Sequence, residues 1–218
     1  PFGEALAVDS ALILLFGLQH SIMARPAFKA WLTRFVPKPI ERSIYVLASN
    51  SALAVMFWQW RPLGGVVWNA ESTAGQAAWW ALCAIGWLAV LYTTFLINHF
   101  DLFGLRQVWL YFRGRPYTQL SFVMPGPYRH IRHPLYVGWM IAFWAAPVMT
   151  MAHFLFAAGM TVYMLVAIWF EERDLMRAHP GYAAYREEVP MLVPKICGVG
   201  KPAVETRRSG DRVPVVVK

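Results

Sequence analysis

The sequence predicts an all-α fold, a polytopic transmembrane helical bundle with about five spans. Three observations predict it. The 218 residues are 58% hydrophobic and only 15% charged, a membrane composition. The apolar residues gather into five blocks, and crossing a bilayer takes about 20 helical residues. The basic residues then fall almost entirely on one side of those blocks.

The first block runs from Phe2 to Met23. It lacks a basic leader and an obvious small-residue cleavage site, so it reads as a span and not a cleaved signal peptide. The chain starts at Pro1, which leaves room for an upstream helix. The second block, Ile44 to Trp60, and the fourth, Leu135 to Met151, are short for a full crossing and place aromatic ends at the interface. The third covers Ala77 to Ile97 and the fifth Ala152 to Phe170. Between the third and fourth, residues 98–133 are too many for a simple turn. Their aromatic stretch, Trp109 to Phe112, predicts a short amphipathic or re-entrant element over the cytoplasmic helix ends. Beyond Phe170 the helix is expected to continue through EERDLMRAH and stop at Pro180 and Gly181. Residues 1–197 form one expected domain, and 198–218 a loosely ordered polar tail.

Of the 20 Lys and Arg residues, only Arg61 falls on the other side of a five-span arrangement. The populated side should be cytoplasmic, with the N-terminus of the chain outside and the C-terminus inside. The formal net charge of +8 then reflects topology and contact with anionic membrane lipids, and argues against a nucleic-acid partner. The two cysteines, Cys83 and Cys197, form no disulfide framework, and no zinc-site spacing is present.

The densest chemistry lies in GPYRHIRHPLYVG, Gly126 to Gly138, where a basic loop meets an apolar block. Pro134 suits the first turn of a helix, because its missing N–H costs nothing there. A hairpin turning near Met151 and Ala152 brings position 133 beside position 170, so His133 and Pro134 face Glu171 and Glu172. Arg129, His130, Arg132, Tyr128 and Tyr136 converge on the same corner. Read only as side chains, this corner permits interfacial ion pairs with snorkelling arginines. It also permits a ligand: a helix N-terminus with arginines holds a carboxylate, glutamates accept from an ammonium or from ribose, and aromatic rings cover a base or face a cation. S-adenosylmethionine carries all of these groups, and other nucleotides share some of them.

The run GPYRHIRHPLYVGW, followed after one helical hairpin by EERDL and then by Tyr182, Tyr185, Pro190 and Pro194, resembles the isoprenylcysteine carboxyl methyltransferase superfamily of integral membrane methyltransferases. The match covers about Met124 to Pro194. It implies a helical membrane core that holds S-adenosylmethionine in a cytoplasmic pocket lined by His130, Arg132, His133, Pro134, Tyr136, Gly138, Glu171 and Glu172. The segments GLQHSIMARP (Gly17 to Pro26), ERSIYVLASN (Glu41 to Asn50) and NHFDLFGLRQVW (Asn98 to Trp109) are similar to a bacterial thiol-methylating branch. They are similar also to a broader bacterial membrane family named for its association with nitrite and nitric oxide reduction. The first resemblance implies a small-molecule thiol substrate, methanethiol, converted to dimethyl sulfide in the bacterial inner membrane.

A thiol attacks a sulfonium fastest as its thiolate, so a general base is expected. His99 and Asp101, at the inner end of the third span, are the leading candidates as a proton-handling pair. His20 is second, and Tyr128 is an orienting hydroxyl. The structural alternatives are a hydrogen-bonded histidine between helices for His20, and a helix-end contact with Asp101 as a cap for the pair. Two other functions stay open on the residues: a membrane methyltransferase acting on a lipid or prenylated acceptor, and a haem- or metal-binding module using His20, His99, His130 and His133.

Overall fold

Each apolar block becomes a helix because a backbone in hydrocarbon must satisfy its own hydrogen bonds. The computed structural model describes residues 1–118, 126–178 and 181–194. Met124, His179, Pro180, Cys197 and the expected tail at 198–218 lie outside the described residues. Those described form helices α1 (Phe2–Ala24), α2 (Pro26–Leu32), α3 (Glu41–Gln59), α4 (Thr73–Ile97), α5 (His99–Leu102), α6 (Leu105–Phe112), α7 (Pro134–Trp144), α8 (Met151–Ala178) and α9 (Tyr182–Glu188). Three of them, α1, α4 and α8, are long and apolar enough to cross a membrane. The second block is the 19-residue α3, which carries Glu41, Arg42 and Asn50.

The fourth block departs from expectation. Its helix α7 has only 11 residues and ends before Pro147, which has no N–H to continue the ladder and biases the residue before it away from helix. The chain then runs through strand β2 (Val148–Thr150), which pairs antiparallel with β1 (Val66–Asn69). The reversal is therefore spread over residues 145–150 and is not a tight turn at Met151. The all-α expectation gains a small two-stranded cap, in which Val66, Trp68 and Asn69 lie opposite Thr150, Met149 and Val148, a stretch rich in the β-branched residues that suit strands, and which is fixed by the Trp68 indole donating to the Ala146 carbonyl at 2.9 Å. The register of the hairpin nevertheless survives. Eleven helical residues rise roughly 16 Å and the extended stretch adds about 3 Å per residue, which together match the roughly 32 Å from Met151 to Glu172.

Helix α8 is the common support, touching α1 on one side and α7 on the other, while α3 leans on α1 and α4 on α7. The α4–α7 contact is the most extensive in the fold. It depends on two glycines. A Cβ on Gly86 would sit 2.5 Å from the Ala142 backbone nitrogen, and one on Gly138 would sit 3.0 Å from that of Val90. This is small-residue packing of the kind that drives helix association in lipid.

At the inner ends, Asn98 adopts a left-handed φ of 86° and closes α4, a conformation asparagine tolerates better than most residues. Its side chain also caps α5 by accepting the Asp101 N–H at 3.1 Å. The amphipathic element expected at Trp109 to Phe112 is α6, with Leu105, Trp109 and Phe112 exposed and the Arg113 guanidinium 4.8 Å over the Trp109 ring. Arg42 and Ser43 tie this region to the start of α3 by donating to the carbonyls of Leu102 and Gly104. At the opposite end of the bundle, Asp9 is fully buried and accepts the Arg61 N–H at 2.9 Å, and Arg61 pairs with Glu4.

Adding a methyl group at Gly86 forces backbone against backbone, which no rotamer relieves. Gly86→Ala is expected to destabilise the protein by about 1–3 kcal/mol, read as a lower midpoint of thermal unfolding in detergent. Gly3→Ala, which meets nothing within 4 Å, should leave the midpoint within error or raise it slightly.

Candidate functional site

Pro134 opens α7 and is buried at its first turn, so the residues just before it are held at a fixed exit from the helix. Gly126 to Arg129 form a 3-10 turn. That turn lies against α4, where a Cβ on Gly126 would be 3.5 Å from the Tyr92 hydroxyl. From there the chain pairs with the C-terminal segment as a short ladder: the Arg132 N–H donates to the Pro190 carbonyl at 2.9 Å and the His133 N–H to that of Met191 at 3.2 Å. The Tyr185 hydroxyl donates to the Tyr128 carbonyl at 2.7 Å. Burial pushes the Tyr185 phenol up to about 12 against the pull of Arg132, so it stays a donor across the neutral range.

The side chains then divide. Glu172 is 5% exposed, and three basic groups surround its carboxylate. Arg132 Nε donates to Oε1 at 2.7 Å, His133 Nε2 lies 3.0 Å from the same oxygen, and Arg186 Nε is 3.2 Å from Oε2. Arg132 also donates through Nη1 to the Arg186 carbonyl at 2.8 Å and to that of Val189, covering the carbonyl end of α9, where a cation is favoured. Arg132, His133 and Glu172 are thus fully engaged with one another and with the C-terminal segment.

Glu171, its neighbour, is exposed and, among the described residues, accepts only from the Tyr136 hydroxyl, at 3.1 Å. Arg129 and His130 are exposed as well, and their side chains make no hydrogen bond or ion pair among the described residues. Burial, reinforced by the nearby Glu171 charge, holds the Tyr128 phenol above its ordinary value. Tyr182 behaves alike, with burial first and Glu172 next. The corner therefore presents an open carboxylate, an open guanidinium and imidazole, and neutral phenols. That donor and acceptor set fits the ammonium, carboxylate, ribose and base of S-adenosylmethionine. Pro134 and Gly138, which the resemblance placed in the pocket, sit instead in the helix start and in the α4 interface.

The expected pair of His99 and Asp101 is not bonded. Asp101 accepts from Arg106 at 3.0 Å and from the Tyr117 hydroxyl at 3.1 Å, while Asn98 takes the capping role. His99 stacks on Phe95 with ring centroids 4.5 Å apart, and its Nδ1 lies 3.0 Å from Thr94 Oγ1. His20 has partners at both nitrogens: Ser49 Oγ at 3.0 Å from Nδ1 and the Tyr45 hydroxyl at 2.6 Å from Nε2. The four histidines of the haem or metal alternative form no metal-holding group among the described residues, and three of them, His20, His99 and His133, have ring nitrogens held by protein groups on separate elements. Sequence reasoning missed Arg186, Tyr45, Ser49 and Tyr163. Tyr45 and Ser49 left a readable trace, a polar i, i+4 pair on one face of an otherwise apolar helix.

The fold and this corner define a helical membrane protein with a cluster of charged and phenolic side chains at one end of the bundle. The methanethiol S-methyltransferase of Crocosphaera subtropica is 55% identical over 88% of this chain and 76% of its own length. That of Mycobacterium tuberculosis is 53% identical over 89% and 80%. Nurim of Mus musculus is 32% identical over 78% and 68%, in keeping with the wider isoprenylcysteine methyltransferase-like superfamily. The chain belongs to the methanethiol S-methyltransferase family and is a methyltransferase. No protein-family model and no solved structure matches it.

Neutralising Glu172 leaves Arg132 buried without its counter-charge, and breaking such a pair costs about 3–5 kcal/mol. Glu172→Gln is expected to lower the thermal midpoint clearly. Glu171→Gln should leave it within error, since only one phenol contact is lost at an exposed site. Equal midpoints for the two variants would contradict the division of roles.

Proposed function

We propose that this chain transfers the methyl group of S-adenosylmethionine to methanethiol, giving dimethyl sulfide and S-adenosylhomocysteine. The observation that carries the reading is the opposite condition of two adjacent glutamates, in a chain of the methanethiol S-methyltransferase family. Glu172 is saturated by basic groups and fastens the C-terminal segment. Glu171 faces outward with capacity to spare.

Arg129 and His130 take the carboxylate of the methyl donor, and Glu171 accepts from its ammonium or ribose. Tyr136 aims Glu171, while Tyr128 and Tyr182 supply neutral aromatic faces. Arg132, His133 and Glu172 position this set without touching the ligand. When bound, the donor supplies an electrophilic methyl on a sulfonium. What the protein adds is alignment of the thiol and removal of its proton.

The site opens on the cytoplasmic side of a bacterial inner membrane. In this arrangement α3 and α7 complete a five-span bundle with its N-terminus outside, so that every basic side chain but Arg61 lies inside. Residues 1–197 act as one domain, with 198–218 as a polar tail. The shortness of α7 is accommodated by the β1–β2 cap at the outer interface.

Two measurements test the reading. Purified protein with S-adenosylmethionine and methanethiol should release dimethyl sulfide and S-adenosylhomocysteine in equal amounts. Turnover only with a lipid or prenylated thiol would move the acceptor to another class. Glu171→Gln should weaken donor binding about tenfold or more in calorimetry, the effect of losing one hydrogen bond to a charged group. Unchanged affinity would remove Glu171 from the donor site.

A further inference from the structure

Between α1, α3 and α8 lies a cluster of hydroxyl and aromatic groups that the donor corner does not use. His20 stacks on Phe16, with centroids 5.4 Å apart, and meets the Tyr45 ring at a tilt, with centroids 4.9 Å apart. Tyr163 meets the same imidazole edge-on at 6.2 Å, and its hydroxyl lies 3.4 Å from Ser21 Oγ. His20, Tyr45 and Tyr163 are all half-buried, so the cluster is not sealed. It shares a helix with the donor corner: Tyr163 and Glu171 both lie on α8.

The hydrogen bonds in this cluster have a direction that can be worked out from proton counts. Ser49 has one hydroxyl proton, and it is donated to the Tyr45 carbonyl at 2.9 Å. Ser49 Oγ can therefore only accept from His20 Nδ1, which must carry a proton. In the neutral imidazole Nε2 is then a lone pair, and the Tyr45 hydroxyl 2.6 Å away must donate to it. The Tyr45 oxygen has its own proton committed to His20 and its lone pairs left over. It is thus an acceptor facing the cluster, backed by a base.

We propose that Tyr45 is the group that takes the proton of the acceptor thiol, passing its own proton to His20. This rests on the thiol S-methylation reading above. The S–H bond breaks and its proton moves to the Tyr45 oxygen as the Tyr45 O–H proton moves to His20 Nε2. The thiol sulfur keeps the electron pair and forms the new S–CH3 bond. The old sulfonium S–CH3 bond breaks, and its pair stays on the sulfur of S-adenosylhomocysteine. One proton remains on the His20 imidazolium, held between Tyr45 and Ser49, until exchange with water removes it. His99 is the competing base, since its Nε2 has no partner among the described residues. It is flanked, however, by the exposed Phe95 and Phe100, and no contact connects it to Tyr136 or Glu171.

The test is Tyr45→Phe in the full chain, which keeps the ring packed on His20 and removes only the oxygen. Turnover is measured from pH 6 to 10 with methanethiol and with the more acidic 2,2,2-trifluoroethanethiol, and S-adenosylhomocysteine binding is measured by calorimetry. Expected is a loss of kcat of about 100-fold or more at pH 7 with methanethiol, shrinking as pH rises and the thiolate forms unaided. The loss should be mostly recovered with the acidic thiol, and S-adenosylhomocysteine affinity should stay within about twofold. A loss equal at every pH and for both thiols would mark a packing role and overturn the proposal, as would no loss at all. A pH-dependent loss in His99→Ala with Tyr45→Phe unaffected would move the proton to His99. Should Tyr45→Phe fail to fold, His20→Gln carries the same test with the same two signatures. Wild-type protein that makes no product from either thiol would instead defeat the functional reading itself.

Discussion

A carboxylate held away from water in a membrane protein must have cations against it, and Glu172 has Arg132, His133 and Arg186. These three come from two separate stretches of chain, Arg132 and His133 entering α7 and Arg186 within α9. The bonds to a single side chain therefore decide where the C-terminal segment lies. With that segment in place, the backbone of Arg132 and His133 pairs with Pro190 and Met191, and Tyr185 reaches the Tyr128 carbonyl. The exposed set of Arg129, His130 and Glu171, with the half-buried Tyr136 beneath Glu171, is then presented on a fixed frame.

The frame rests in turn on helix contacts that tolerate no side chain. Gly86 and Gly138 let α4 and α7 approach backbone to backbone, which sets α7 against α4 and hence fixes the start of α7 near the inner end of α4. The short α7 would not reach across from Glu172 on its own. The extended residues after Trp144 supply the missing length and pair with Val66 to Asn69 at the outer end. The same geometry gives Pro134 and Gly138, though within the polar motif, a structural role at the start of α7 and in its contact with α4.

Much of this was legible in the sequence. Four of the five apolar blocks became helices and the fourth block became one only as far as Trp144, the long α8 ran past Glu172 as its apolar periodicity required, and the hairpin set His133 beside Glu172. The division between Glu171 and Glu172 was not legible, because adjacent residues on a helix point about 100° apart and only the neighbours decide which face is filled. The link between His99 and Asp101 failed for a related reason: at i, i+2 on a short helix the two side chains diverge, and each found a nearer partner in Thr94 or Arg106. Tyr45 escaped notice because a tyrosine in an apolar span reads as an interface residue until its hydroxyl is seen on His20. The strands at Val66 and Val148 were hidden by their brevity and by the helix pattern on either side.

The central claim is that the Glu172 carboxylate clamps the C-terminal segment onto the start of α7. Hydrogen exchange in lipid nanodiscs, read on peptides covering residues 126–134 and 182–194, tests it most directly. Wild-type protein should protect both peptides, and Glu172→Gln should expose both together while the α4 peptides keep their protection. Unchanged protection in the variant would contradict the clamp and place the anchoring of that segment elsewhere.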